Sequence, residues 1–231
     1  PTRRSSDLGG FVAMDTTNGP QVMVSEPIVS SAIIGFLFGD PAAGIAIGIL
    51  FQLLWFDYMP LGAVRFTDHN MASLIATASL LAAEKWYGMT GGLIRAGVIP
   101  AILFGVLVGW LGLQATSALW RWNDPRGAAL VAKVLDGAFS GIVSAQITGL
   151  GAAVLKGVVM TVLFVPAGMA ICGPIRHAPS VIRDALALGS VLIFGTVAAS
   201  AAHFFWVNER ARRPLALGAI GGIVWLIAMV W

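Results

Sequence analysis

Two side chains, Gln52 and Asp68, stand out for their chemistry because both belong to an apolar part of the chain. Gln52 lies within the apolar run from Ala42 to Phe56. Asp68 lies in the short polar stretch from Arg65 to Asn70 that follows it. A carboxylate accepts hydrogen bonds on two oxygens, and a primary amide both donates and accepts, so the two together suit neighbouring hydroxyl groups on one small molecule. Polar groups set among membrane-embedded segments are functional-site candidates by default. Thr67 and His69 flank Asp68, and with Arg65 they would either line a polar vestibule or stand as wet loop residues. The structural alternative makes Gln52 an inter-helix hydrogen bond and Asp68 the cap of a helix opening at Asn70-Met71. Other chemistry finds little support. There is no phosphate-binding Gly-Lys motif, no dinucleotide fingerprint, no nucleophile elbow and no metal-spaced set of His and Cys. His69, His177 and His203 are scattered, and the single Cys172 has no disulfide partner and reads as a small apolar filler. No catalytic residue, metal or cofactor is expected.

The elements that must position this pair are short and broken. Pro27 to Phe38 and Ala42 to Phe56 are each shorter than the ~20 residues a straight membrane-crossing helix needs. They meet at Gly39-Asp40-Pro41, where Asp40 is expected to hold the turn and cap the helix after Pro41. Pairs of short apolar segments interrupted by Gly and Pro are what solute sites inside transporters are built from, and an ordinary buried hairpin is the simpler alternative. The whole chain supports the membrane setting. Of 231 residues 58% are hydrophobic and 11% charged, against roughly 25% charged in soluble domains. The mean hydropathy of +0.86 leaves no room for a soluble surface. The fold class is therefore an all-α polytopic membrane protein of roughly seven hydrophobic helical elements, some of them re-entrant or broken. The net charge of +3 does not point to nucleic acid.

Taken in order, Phe11 to Gln21 reads as a polar, Gly- and Thr-rich bend, with Asp15-Thr16-Thr17 and Pro20 placed to open a following helix. Met71 to Ala83 predicts a short apolar helix. Gly91 to Trp120 predicts one full span with Gly97, Gly105, Gly109 and Gly112 on a packing face. Trp120 to Arg126 reads as an interfacial loop, and Ala128 to Phe139 as an amphipathic connector. Ser140 to Cys172 is a long apolar stretch interrupted by Gly149-Leu150-Gly151 and Pro166, with Lys156 well inside it; that lysine is expected to face protein or water. Val181 to Val207 and Pro214 to Trp231 predict the last two helices. The basic stretches Arg121–Arg126 and Asn208–Arg213 are expected on the cytoplasmic side.

Pro27-Ile28-Val29, Gly35, Gly39-Asp40-Pro41, Gly44, Gly48, Leu53-Leu54-Trp55 and Gly62-Ala63 occur in one order with fixed gaps, after Met14-Asp15-Thr16, Gln21, Met23 and Ser25-Glu26. That order resembles the signature of the mannose/fructose/sorbose-type phosphotransferase membrane component IIC. The match is dense from Phe11 to about Ala83. The resemblance implies a sugar-translocating permease subunit in a bacterial cytoplasmic membrane, multi-pass, paired with a IID membrane subunit in a larger oligomer. It also implies cytoplasmic IIA and IIB phosphocarriers, with the phosphate carried by IIB. Gln52, Thr67, Asp68 and His69 would then contact a hexose, while Pro27, Asp40 and Pro41 belong to the structural motif. Two positions depart from the family pattern: Glu26 stands where a basic residue is usual, and Gln52 where glutamate is usual. Restoring glutamate at 52 is expected to be tolerated. A diverged sensor or assembly partner of IID, and an unrelated small-solute transporter, are the alternatives. Residues 1–10 are set apart as a non-native leader and remnant, because PTRRSSDL back-translates to the end of a sequencing adapter. The resemblance implies an apolar helix ahead of Asp15, of which little is left here; 11–231 are expected to form a single membrane-embedded IIC-like domain.

Overall fold

The computed structural model describes residues 2–17, 23–56, 67–207 and 212–218. Among them the regular structure is helical: α1 (Thr2–Thr17), α2 (Pro27–Phe38), α3 (Pro41–Leu54), α4 (His69–Tyr87), α5 (Gly92–Leu135), α6 (Ile142–Cys172), a 3-10 turn (Gly173–His177) and α7 (Ser180–Val207). Residues 212–218 are helical again. Arg65, Pro20, Asn208 and most of the final helix expected from Pro214 onward lie outside the described residues.

α4 is the centre of the bundle. Every residue from Asn70 to Ala83 is buried, so this helix meets protein on all sides. Its neighbours are α1, α2, α3, α5 and α6. Four glycines on one face of α5 explain how α5 comes so close: a side chain at Gly97 would strike Leu80, at Gly105 Ala76, at Gly109 Ala72, and at Gly112 Asp68. The small-residue stripe is therefore the face that α4 occupies. In lipid, where apolar surface gains nothing by leaving water, such close approach is a main source of helix association.

The short helices form a hairpin. Pro27 and Pro41 sit in the first turns of α2 and α3, where a missing N–H costs nothing. Gly39 closes α2 at φ +79°, a conformation that favours glycine. Asp40 then caps α3 by accepting from the Ala43 N–H at 2.9 Å, as its place before Pro41 predicts. A Cβ on Gly44 would lie 2.5 Å from the Ser31 carbonyl oxygen, so the two backbones are nearly in contact. The hairpin joins α4 through hydroxyls. Ser31 and Ser73 share a hydrogen bond of 2.6 Å, Thr77 donates to Ser31 at 2.9 Å, and Ser73 also donates to the Pro27 carbonyl. At the far end of α4, Glu84 lies near Asp40; burial first, and then the Asp40 charge, push its carboxyl above the ordinary range.

Among the described residues, three helical stretches are long and apolar enough to cross a membrane: Gly92–Leu135, Ile142–His177 and Ser180–Val207. The structure corrects several boundaries. Phe11 to Thr17 is not a bend but the continuation of α1, which lies along α6; Gly9 and Gly157 abut there with no room for a side chain on either. Asp15 does not open the next helix. It is buried, and its carboxylate accepts from the Ser25 N–H at 2.9 Å, tying the end of α1 to the approach to α2. Trp120 to Arg126 is not a loop, and 128–139 is not a separate connector, because α5 runs unbroken to Leu135. Its 44 residues span about 66 Å, twice the hydrocarbon thickness, so its charged end extends beyond lipid. Within that end Arg126 lies over the Trp122 ring at 3.8 Å, a contact at helical spacing that keeps the turn intact. Nor do Gly149, Gly151 or Pro166 interrupt α6.

Candidate functional site

Asp68 is held from four directions. Its Oδ1 accepts from the Met71 N–H at 3.1 Å, so it is the N-cap of α4. Its own N–H donates to the Gly109 carbonyl of α5 at 3.0 Å. Gly112 of α5 lies against its Cβ. From α6, Lys156 Nζ donates to Oδ2 at 2.8 Å, and the same ammonium donates to Thr116 Oγ1 of α5 at 3.0 Å. The lysine expected to face protein therefore does so, and three helices converge on one carboxylate.

The pair is nearly enclosed, with side-chain exposures of 12% for Lys156 and 7% for Asp68. Removing either partner from such a setting strands the other charge, which costs several times what an exposed pair contributes. Hydrogen-bonding capacity remains on both sides. Each Asp68 oxygen has a second lone pair, and the ammonium has a third N–H.

The other polar residues of this region are held in their own ways. Thr67 presents its methyl group toward Gly109, and its carbonyl accepts from the His69 N–H at 2.8 Å. His69 Nδ1 lies 3.3 Å from the same carbonyl. The imidazole faces Trp55 at 6.2 Å between ring centroids, and Trp55 stacks on Phe51 at 5.4 Å. The C-terminal end of α3 thus meets the start of α4. Gln52, one turn before Trp55, donates to Glu26 Oε2 at 2.9 Å and accepts from the Ile28 N–H at 3.5 Å. It pins the end of α3 to the start of α2. Both structural roles considered for the pair are present: Gln52 makes an inter-helix hydrogen bond and Asp68 caps α4. No direct hydrogen bond joins Gln52 to Asp68.

Sequence reasoning singled out Glu26 and Gln52 separately as departures from a family pattern; in the structure they are partners. Asp68 and Lys156 were likewise singled out separately. The signal that could have joined them is charge balance, since one buried acid and one buried base in apolar surroundings each require a counter-charge. Thr116 gave no signal. Among the described residues no group of His, Cys, Asp and Glu is arranged to hold a metal.

The family described as "PTS system sorbose-specific iic component" matches residues 8–194. No curated protein matches. Two solved structures share the fold. One, titled "Structure of membrane protein", aligns with a TM-score of 0.67 at 17% identity, covering 100% of this chain and 95% of its own. The other, "CryoEM Structure of Mannose Transporter ManYZ and Microcin E492 (MceA) complex", aligns with a TM-score of 0.57 at 17% identity, covering 100% of this chain and 94% of its own. With three candidate spans, an all-helical bundle and a family match over most of its length, this chain is a membrane protein that belongs to the sorbose-specific IIC component family of the phosphotransferase system.

Proposed function

We propose that this chain is the sugar-conducting IIC subunit of a phosphotransferase complex in a bacterial cytoplasmic membrane, and that it carries a hexose inward to a separate IIB protein. The observation that carries this reading is Asp68, a carboxylate fixed from three helices among apolar surroundings, with lone pairs to spare. Hydroxyl donors of a sugar match those lone pairs, whereas a helix cap alone needs no lysine behind it. Thr67 and His69, beside Asp68, and Gln52, near where α3 meets α4, complete the polar end of the site. A IID membrane subunit pairs with the chain, the pairs assemble further, and IIA and IIB deliver the phosphate. The chain itself carries none. Movement of a site-bearing unit against a fixed one is the transport mode.

Uptake tests this reading. Cells lacking their own hexose uptake, given this chain together with IID, IIA and IIB, accumulate phosphorylated hexose. Asp68→Asn lowers that accumulation at least tenfold at limiting sugar when uptake is normalised to the folded chain in the membrane, since the variant also leaves Lys156 without its counter-charge. Uptake that is undiminished by Asp68→Asn would remove Asp68 from the sugar path. Stable assembly with IID without any uptake would support the assembly-partner reading instead.

A further inference from the structure

Lys156 is treated above as the counter-charge of Asp68, yet its geometry offers more. The ammonium has three N–H donors, of which one goes to Asp68 Oδ2 and one to Thr116 Oγ1. The first contact is to the cap of α4 and the second to α5. The remaining donor and the free lone pairs of Asp68 belong to heavy atoms 2.8 Å apart. That spacing is itself a hydrogen-bond length. Two hydroxyl oxygens on adjacent carbons of a sugar ring, in the gauche relation, stand at about the same separation. The spacing of the pair therefore matches that of a vicinal diol, one hydroxyl donating to Asp68 while its neighbour accepts from Lys156.

We propose that Lys156 is itself a sugar ligand, and that the Asp68–Lys156 pair recognises a vicinal diol through both of its charges. This rests on the sugar-site reading of Asp68. Several features of the site favour it over a purely structural ion pair. The pair sits at the end of α4 where Trp55 and His69 also meet. Thr116 holds the ammonium without adding a counter-charge, so the ammonium keeps both its position and its spare donor. Its carrier, α6, is otherwise apolar over most of its length, where a lysine is expensive unless it serves a site. A trans-diaxial diol, whose oxygens point apart, does not fit this arrangement, so the pair also sets which ring stereochemistry is accepted.

The test is an affinity matrix on the complex of this chain with its IID subunit. The best binder among D-mannose, D-glucose, D-fructose and L-sorbose is measured first, followed by its monodeoxy analogues, each against wild type, Lys156→Met, Lys156→Arg and Asp68→Asn. Lys156→Met is expected to weaken the parent sugar about tenfold to a hundredfold. One monodeoxy analogue should lose less than about twofold to the same change, because the hydroxyl that Lys156 served is already gone. Asp68→Asn should show the same insensitivity for a deoxy position adjacent on the ring to the first. Lys156→Arg should recover part of the binding. Thermal unfolding of each variant reports folding independently.

The outcomes separate the two levels. If Asp68→Asn weakens no sugar, the sugar-site reading fails and the diol proposal fails with it. If Asp68→Asn weakens binding while Lys156→Met does not, the site reading stands and the diol proposal is overturned. Equal losses from Lys156→Met across every deoxy analogue, in step with lost thermal stability, would also overturn it, since a structural strut has no preferred hydroxyl. Two non-adjacent deoxy positions would do the same.

Discussion

Glu26 and Gln52 show how a pair of departures can be one change. By the resemblance, a basic residue usually precedes the proline and a glutamate usually occupies position 52. Here a carboxylate and an amide face one another at 2.9 Å, so the donor and acceptor have exchanged helices. Glutamate at 52 was expected to be tolerated, but the geometry argues against it. Gln52→Glu alone would replace an amide donor by a second carboxylate against Glu26, losing a hydrogen bond to a charged group and adding like-charge repulsion. The expected cost is about 1–3 kcal/mol of stability. Adding Glu26→Lys restores an opposite-charge pair and should recover most of the loss. Thermal unfolding of the two single variants and the double variant in one detergent measures this. A single Gln52→Glu variant as stable as wild type would mean the hairpin opens there at no cost. That reciprocity was legible in the sequence only as two oddities, because residues 26 positions apart give no local cue that they touch.

At the scale of elements, the hairpin was legible because its signals are local. Proline in each first turn, aspartate before Pro41 and glycine at 39 each act within a few residues, and all four appear where their chemistry requires. Boundaries set by distant packing were harder to read. Trp120 to Arg126 has the composition of a loop. It stays helical because a helix leaving the bilayer satisfies its own backbone whatever side chains it carries, and Pro125 alone does not end it. Phe11 to Thr17 looked like a bend because Asp15, Thr16 and Thr17 disfavour isolated helix; the close seat of α1 against α6 overrides that preference. The hairpin itself depends on the absence of side chains at its seam. Gly44→Val should prevent α2 and α3 from closing, since its Cβ would already stand 2.5 Å from the Ser31 carbonyl oxygen. We expect a loss of several kcal/mol or failure to accumulate, beyond the ~1–3 kcal/mol of ordinary overpacking, because backbone rather than a flexible side chain is in the way. Fluorescence-detected size exclusion of the tagged protein reads this. A monodisperse Gly44→Val peak at wild-type yield would show the seam to be looser than described.

At the scale of the whole molecule, the bundle is arranged so that α4, buried on every side from Asn70 to Ala83, starts at the charged pair. α4 presents Asp68 at its first turn, α5 closes over that turn with Gly109 and Gly112, and α6 delivers Lys156 across 88 residues of sequence. Both members were visible in the sequence as costly charges, but their meeting was not, since nothing local specifies which buried acid a buried base will reach. The three long apolar stretches carry this core in the membrane, while the short hairpin lies against α4 through the Ser31, Ser73 and Thr77 hydroxyls. In the function proposed, such a core would hold a polar solute away from lipid while leaving its charges partnered when the solute departs. In the function proposed, the solute is a hexose and Asp68 holds it. Equilibrium binding of radiolabelled hexose to the purified complex of this chain with its IID subunit tests that most directly, comparing wild type with Asp68→Asn after both pass the same thermal-unfolding check. Wild type is expected to bind saturably, and Asp68→Asn with an affinity roughly ten- to a hundredfold weaker, the loss of one hydrogen bond to a charged group. Equal affinity in the two proteins, both folded, would contradict it and leave Asp68 as the cap of α4 and the counter-charge of Lys156.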